Sequence, residues 1–590
     1  MNDSIMTLMT SGINNTWTLV GAALVFFMQA GFAMCETGFT RAKNAGNIIM
    51  KNTMDFAIGT VLYWFIGFGI MFGVHSSIFG GIDLFTHGDY TAILPDGVSF
   101  FSYFIFETVF CATAATIVSG SMAGRTKFSA YCIYSAIVSL VIYPIEGHWI
   151  WGGGWLANIG FHDFAGSTAV HMVGGTIALV GAAILGPRIG KYDKNGKSRA
   201  IPGHNIPLAA LGVFILWFAW FGFNGASTVS MIGDNAPLAG KIFFNTNLAA
   251  AAATVTVMIL TWILYKKPDV SMTLNGALAG LVAITAGCDA VDPWAAAVIG
   301  VISGLAVTFS VEFIDKKLHV DDPVGAVSVH MVNGFLGTIL TGLFATDDYL
   351  AANNMTQMKF FGIQCLGAVV VMAWAAACAF VTFEIINHTI GLRVTREEEL
   401  SGLDLPEHGL VSAYADFMPS ITGSVSVPVN EEHLTEEEAE VEARAAVPVD
   451  DAIPVQIRTE PTPNTGIASD VKLTKLSILI RQDKLDDFKN AMMDIGITGM
   501  TVSNVMGCGI QKGHTSFYRG VEQDVYLLPR IEVELVVAKV PVHTVIDTAK
   551  KVLYTGHYGD GKIFVYNVEN VIKVRTGEEG YAALQDVEQY

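Results

Sequence analysis

The chain has 590 residues, 52% of them apolar and only 15% charged, which is too greasy for a soluble enzyme of that length. Its formal charge of -19, with no basic stripe carrying interleaved aromatics, excludes nucleic acid as a partner. The seven cysteines, Cys35, Cys111, Cys132, Cys288, Cys365, Cys378 and Cys508, form no CxxC pair, so neither a disulfide framework nor a zinc site is expected.

Apolar runs long enough to cross ~30 Å of hydrocarbon recur through the first two-thirds of the chain. Eleven spans are predicted, near 15–38, 54–79, 101–124, 128–146, 165–187, 205–225, 242–265, 272–288, 294–314, 325–345 and 360–390. Residues 1–14 carry no Lys or Arg, so a cleaved signal peptide with a basic start is not expected. The loops after odd-numbered spans hold Arg41, Lys43 and Lys51, then Arg125 and Lys127, then Arg188, Lys191, Lys194, Lys197 and Arg199. Lys266 and Lys267, Lys316 and Lys317, and Arg393 and Arg396 continue the series, with Lys241 and Lys359 as exceptions. That bias predicts a multi-pass protein with its N-terminus outside and its C-terminus in the cytoplasm.

One motif occurs twice. Residues 163–175 read DFAGSTAVHMVGG and residues 322–334 read DPVGAVSVHMVNG, both of the form D-x2-G-x4-H-M-V-x-G. If each helix begins at its Asp, a rise of 1.5 Å per residue places the His ~12 Å inside. Asp163 and Asp322 then mark mouths, while His171 and His330 mark points within the membrane. A titratable ring there is costly unless it pairs or lines a cavity, so it is a functional hypothesis by default. Five spans separate the copies, an odd number, which makes the halves inverted and lets the two histidines meet at one midplane site. Axial haem ligation and two satisfied core histidines are the other readings.

Phe110, Trp149, Trp151, Phe223 and Ser227 lie toward the outer ends of their helices. Aromatic faces there attract a small cation, although an interfacial aromatic belt would look the same. Glu36, Asp55, Glu107 and Glu384 also fall in or near spans and are expected at span ends or between subunits.

The strings GFAMCETGFTRAKN (31–44), DFAGSTAVH, WFGFNGAS, DDPVGAVSVHMVNGFLGT and GLRVTREEELSGLDLPEHG resemble the ammonium transporter family (Amt/Mep/Rh) over about residues 10–418. The resemblance implies a non-enzymatic, eleven-helix homotrimer with one narrow apolar pore per subunit. It matches Phe110, Trp151 and Ser227 to an outer ammonium recruitment site supported by Asp163. It matches Phe110 and Phe223 to a stacked phenyl gate, and His171 and His330 to twin pore histidines. Glu107 stands one turn before Phe110, where the family usually has Gln, and its charge is expected to enrich cations at the mouth. Residues 392–418 match a cytoplasmic segment that packs under the neighbouring subunit.

Such a pore has a chemical logic. Ammonium and potassium are alike in size and charge, so a mouth alone separates them poorly. A dry passage penalises any ion heavily, whereas neutral ammonia crosses it at little cost. Deprotonation at the mouth therefore excludes potassium, which has no proton to lose. The imidazoles would exchange hydrogen bonds with ammonia and relay the proton.

After the membrane domain (1–391) and the coupling segment (392–418), residues 419–470 are rich in Pro and Glu. They read as a disordered acidic linker, with a short helix over 431–445 as the alternative; ~50 flexible residues reach ~35–45 Å. Residues 471–590 then alternate strand and helix patterns as two βαβ halves, a soluble α+β ferredoxin-like (βαββαβ) domain. A long polar loop, QKGHTSFYRGVEQDVY, follows the second strand, and loops of that length usually carry function. The Gly-rich TGHYGDGK (555–562) offers backbone N–H groups, with Lys562 and Arg575 as phosphate partners.

KLDDFKNAMMDIGITGMTV, GIQKGHTSFYRGVE, LLPRIEVEL, YTGHYGDGKIFV and VRTGE resemble the PII nitrogen-signalling proteins. The resemblance implies a trimer that binds ATP or ADP at subunit clefts through Thr501, Gly507, Gly509, Gly559, Gly561, Lys562, Lys573 and Arg575. It also implies a mobile T-loop whose Arg519 matches the residue that plugs a transporter's cytoplasmic exit. Gln511 matches the residue that helps hold magnesium and 2-oxoglutarate. Three positions depart from the pattern: Gln523 replaces a modified tyrosine, Ile510 an arginine of the phosphate site, and Arg530 a lysine that grips 2-oxoglutarate. A tethered trimer acts at an effective concentration of about mM. Two outcomes are expected for the fusion: a plug acting in cis, or an ammonium receptor that signals through the tail to a downstream protein.

Overall fold

The structure is a computed structural model. It describes residues 2–73, 76–410, 472–497, 499–507, 515–518, 521–524, 528–538, 540–556 and 559–584. The chain divides into two compact units, Met1–Tyr414 and Ala415–Tyr590.

Ten helices of the first unit are long and apolar enough to cross a membrane: α1 (Ser4–Phe39), α2 (Ala42–Phe72), α3 (Phe100–Ser121), α4 (Phe128–Ile159), α5 (Ser167–Leu185), α6 (Ile206–Thr228), α7 (Asn235–Tyr265), α9 (Pro293–Lys316), α10 (Val327–Phe344) and α11 (Gln357–Thr389). A shorter apolar helix, α8 (Val270–Ile284), stands between α7 and α9 and makes the predicted eleven. The first two start a dozen residues earlier than hydropathy alone suggests, because polar residues such as Asn14, Asn47 and Lys51 are buried inside the protein. Helices α1 and α6 pack together, as do α5 and α10, and these are the first and fifth members of each repeat.

Every fixed position of the repeated motif has a physical task. Asp163 accepts hydrogen bonds from the backbone N–H groups of Gly166 (3.1 Å), Thr168 (2.8 Å) and Ala169 (2.9 Å). Asp322 does the same for Gly325 (3.1 Å) and Val327 (2.7 Å). Each Asp thus satisfies the free donors of a helix start. Gly166 and Gly325 turn the chain at φ +114° and +83°, a region that side chains avoid. The last glycines sit where α5 and α10 cross. A Cβ on Gly175 would lie 2.2 Å from the Met331 nitrogen, and one on Gly334 2.5 Å from the Ser167 oxygen. Thr168 and Thr338 hydrogen-bond across the same crossing at 2.6 Å, a pairing that sets the two helices antiparallel.

The helices begin at Ser167 and near Val327, not at the aspartates, and each opens with a wide π-helical turn, Ser167–Met172 or Val327–Val332. The ~12 Å depth expected for the histidines is therefore too large. Four residues separate Ser167 from His171 along the helix, or ~6 Å at 1.5 Å per residue.

Several charges expected in loops or at span ends are interior. Lys51, Asp55 and Arg125 are fully buried and Glu36 nearly so. Arg188 is buried against Asp321, donating from Nε at 2.7 Å and Nη2 at 2.8 Å. Glu384 alone of the four acidic residues is partly exposed, beside His388. Beyond α11, the short helices α12 (Arg396–Ser401) and α13 (Asp404–His408) are tied to their own chain. Asp404 accepts from the Gly46 and Asn47 nitrogens at 3.0 and 2.8 Å. Glu399 accepts from Ile189 N and Arg393 at 2.7 Å each.

The second unit is a four-stranded antiparallel sheet with two helices. Its strands are β1 (Leu473–Ile480), β2 (Thr501–Gly507), β5 (Leu528–Val537) and β6 (Lys562–Val568), in the order β2-β5-β1-β6. Helices α14 (Leu485–Asp494) and α15 (Val542–Leu553) complete the ferredoxin-like plan. Strand β5 alternates strictly, with Ile531, Val533, Leu535 and Val537 in the core, because successive side chains point to opposite faces. Within the long polar loop, β3 (Thr515–Tyr518) pairs antiparallel with β4 (Val521–Asp524). The linker predicted over 419–470 lies outside the described residues.

Candidate functional site

The site grows from the α5–α10 crossing. His171 and His330, 159 positions apart, meet with one Nδ1 donating to the other at 3.2 Å. Their rings stack at 5.3 Å and 19°. Both are buried, and His171 Nε2 has no hydrogen-bond partner. Trp220 stacks on His171 at 4.9 Å, and Phe32 lies 6.1 Å from His330.

A file of rings leads away from His171. Phe223 is 5.3 Å from it, Phe110 is 4.3 Å from Phe223, and Trp151 is 6.4 Å from Phe110, edge-on. Phe223 sits on a third π-helical turn, Phe221–Gly225. Such turns occur preferentially at functional sites, and hydropathy gives no sign of them. Ser227 Oγ donates back to the Phe223 carbonyl at 2.7 Å. Trp151 Nε1 donates to the Asp163 carbonyl at 2.8 Å, so the backbone of Asp163 holds the indole while its carboxylate caps α5. Trp149 faces elsewhere, packing on Trp155 and Trp374.

Trp151, Phe110, Phe223, His171 and His330 thus form one file of rings, with Asp163 and Ser227 bonded to members of it, whereas Trp149, Asp55, Glu107 and Glu384 have their contacts elsewhere. Glu107 is buried, with Tyr103 as its hydrogen-bond partner and Tyr143 nearby. One turn before Phe110 on the same face of α3, its carboxylate is buried beside these tyrosines rather than exposed at the surface. At the other end, Arg188 and Asp322 line a cavity of about 150 Å³.

The second unit does not bring its predicted residues together. Gly507 ends β2 and Lys562 begins β6, which are opposite edges of one sheet. At ~4.8 Å per strand they stand ~14 Å apart. Gly559 (φ +102°) and Gly561 (φ +114°) adopt backbone shapes closed to other residues. Asp560 closes their loop by accepting from the Thr555 and Gly556 nitrogens at 2.7 and 3.3 Å. Thr501, Lys562 and Arg575 are exposed and Lys573 is half-buried. Gly509, Gln511 and Arg519 lie outside the described residues.

The sequence matches the Ammonium Transporter Family over residues 16–413 and the nitrogen regulatory protein P-II family over residues 473–578. Ammonium transporter Amt2 of Archaeoglobus fulgidus is 48% identical over 425 residues, spanning 69% of this chain and 89% of that protein. Among solved structures, a sensor Amt protein superposes with a TM-score of 0.65 at 41% identity, covering 68% of this chain and 99% of its own. Candida albicans Mep2 follows the same path with a TM-score of 0.60 at 27% identity, covering 71% and 94%.

Proposed function

We propose, from the premise that this chain belongs to the ammonium transporter family and ends in a P-II domain, that ammonium sheds its proton near Trp151 and passes His171 and His330 as ammonia. The observation that carries this reading is the 3.2 Å imidazole pair closing a file of aromatic rings. Trp151 and Phe110 offer faces to the cation, Ser227 stands beside them, and Asp163 steadies both indole and helix. Phe110 and Phe223, 4.3 Å apart and tilted by 35°, exclude water on this reading. Beyond them only an uncharged guest avoids the penalty of a low-dielectric passage. The shared Nδ1 hydrogen bond leaves the outward ring nitrogens to exchange bonds with ammonia and to relay the proton.

Reconstitution tests it. Liposomes holding the intact chain under a defined potential should carry ammonium-evoked current and exclude potassium. His171→Asp should lower the ammonium-to-potassium ratio about tenfold, ~1.4 kcal/mol of selectivity. Potassium current equal to ammonium current in the unaltered chain would defeat the reading.

The P-II domain is read as a regulator acting in the cytoplasm, tethered to an inner-membrane transporter whose N-terminus is outside. ATP or ADP would sit at a cleft between two copies, held by Thr501, Gly507, Gly509, Gly559, Gly561, Lys562, Lys573 and Arg575; that Gly507 and Lys562 occupy opposite edges of one sheet supports a cleft shared by two copies. Exposed Phe564, Val565 and Tyr566 on β6 support the same homotrimer, since such an apolar strip is rarely left uncovered. The bound nucleotide would set the T-loop's shape and so whether Arg519 reaches the cytoplasmic exit. Gln511 is the residue through which magnesium and 2-oxoglutarate would act. The likeness to a protein described as a sensor Amt favours one second reading, in which the tail reports ammonium occupancy to a downstream protein.

A further inference from the structure

On the Asp322 side of the histidine pair lies a cavity of about 30 Å³, lined among others by Phe32, Glu36, Asn275, Val324 and His330. That is room for one water-sized molecule, and ammonium is of that size. Most of its wall is apolar, so Glu36, Asn275 and His330 are the groups that can hold a polar guest. His330 has committed Nδ1 to His171, and Asn275 Nδ2 donates to the Val324 carbonyl at 3.2 Å, which leaves the amide oxygen free to accept. Glu36 receives Ser119 Oγ at 2.7 Å and Asn52 Nδ2 at 3.4 Å, both on Oε2. Oε1 is the oxygen left for a guest.

The charge around Glu36 points the same way. Behind it, Lys51 donates to the Ser119 carbonyl at 3.2 Å and lies 4.8 Å above the Tyr131 ring. Asp55 accepts from Tyr131 and from Ser135 at 2.8 Å. Arg125, also buried, spends its guanidinium on the carbonyls of Ser121, Ala123, Gly186 and Asp321. Two buried carboxylates thus lie near one buried lysine, and a buried carboxylate needs either a proton or a cation to neutralise it. A monovalent cation beside Glu36 would serve in place of the proton.

We propose that Glu36, with Asn275 and His330, forms a second ammonium-binding position, on the far side of the histidine pair from Trp151. It rests on the pore reading. Ammonia that has passed the imidazoles takes the proton they relay: an N–H bond forms on the guest, the donor imidazole loses its N–H proton, and the cation settles against Glu36 Oε1. The site was not legible in sequence, because nothing local relates position 36 to positions 275 and 330.

The test uses the full chain in liposomes sorted by orientation, measuring the half-saturating ammonium concentration for current from each face. Glu36→Gln should raise the ratio of the Asp322-side value to the Trp151-side value about tenfold. Glu36→Asp, which keeps the charge, should leave that ratio within about twofold of the unaltered chain. An unchanged ratio in Glu36→Gln, an equal rise from both faces, or loss of current in both variants overturns the site. An unaltered chain without ammonium current defeats the pore reading and the site with it, whereas a conducting chain with an unchanged ratio defeats the site alone.

Discussion

Arg188 counts, in the sequence, as one more basic loop residue setting orientation; folded, it is a buried clamp on Asp321. The carboxylate receives Nε, Nη2 and the Arg188 backbone N–H, the last at 2.9 Å. Burial alone would push Asp321 up, but the hydrogen bonds and charge of Arg188, with the charge of Arg125, hold it well below the usual carboxylate range. Because the folded value is depressed, the pair's stabilisation is fully present above the unfolded value near ~3.9 and is lost as pH falls below it. Asp321→Asn should therefore lower Tm at pH 7, removing ~3–5 kcal/mol as expected for one partner of a buried pair. The gap to the unaltered chain should narrow as pH drops below ~4. A gap independent of pH in thermal unfolding of the detergent-solubilised protein would contradict the clamp. The histidines, by contrast, were legible because the same nine-residue Asp-to-His interval is written twice.

At the scale of elements, three π-helical turns carry His171, His330 and Phe223. Two further π-helical turns, Tyr63–Gly67 and Val138–Ile142, carry none of these rings. The α5–α10 crossing depends on Gly175 and Gly334, whose hydrogens occupy space that a methyl group cannot share with the facing backbone. Gly175→Ala should force the helices apart, costing ~1–3 kcal/mol by overpacking and weakening the imidazole contact. The expected outcome is a lower Tm together with a lower ammonium-to-potassium current ratio. A variant with unaltered Tm and selectivity would show that the crossing tolerates a methyl. The short helices α12 and α13 were visible as a sequence resemblance, but their anchorage on residues 43–47 and on Ile189 joins stretches hundreds of positions apart.

At the scale of the whole molecule, an ammonium transporter and a P-II domain share one chain, so regulator and target are always present in equal number. Tethering at about mM effective concentration makes weak docking sufficient. On the proposed reading, control would then rest on the nucleotide-dependent shape of the T-loop. Deleting residues 471–590, or changing Arg519 to Ala, should raise ammonium uptake in cells under repressing nitrogen supply if the tail is a plug. Uptake that does not rise in either variant would favour the receptor reading instead.

The sequence by itself determined that eleven apolar segments cross a membrane, that two halves repeat in inverted order, and that a βαββαβ domain follows. Those features are local, set by the length of hydrocarbon to be crossed and by the periods of helix and strand. Only the tertiary structure decided that two imidazoles share a hydrogen bond, that Glu36 faces a cavity beside one of them, and that Lys51, Asp55 and Arg125 are interior. It also decided that Gly507 and Lys562 stand on opposite edges of a sheet. Each of these is a contact or separation between distant positions, and such pairings are fixed by packing and charge compensation across helices and strands rather than by any pattern along the chain.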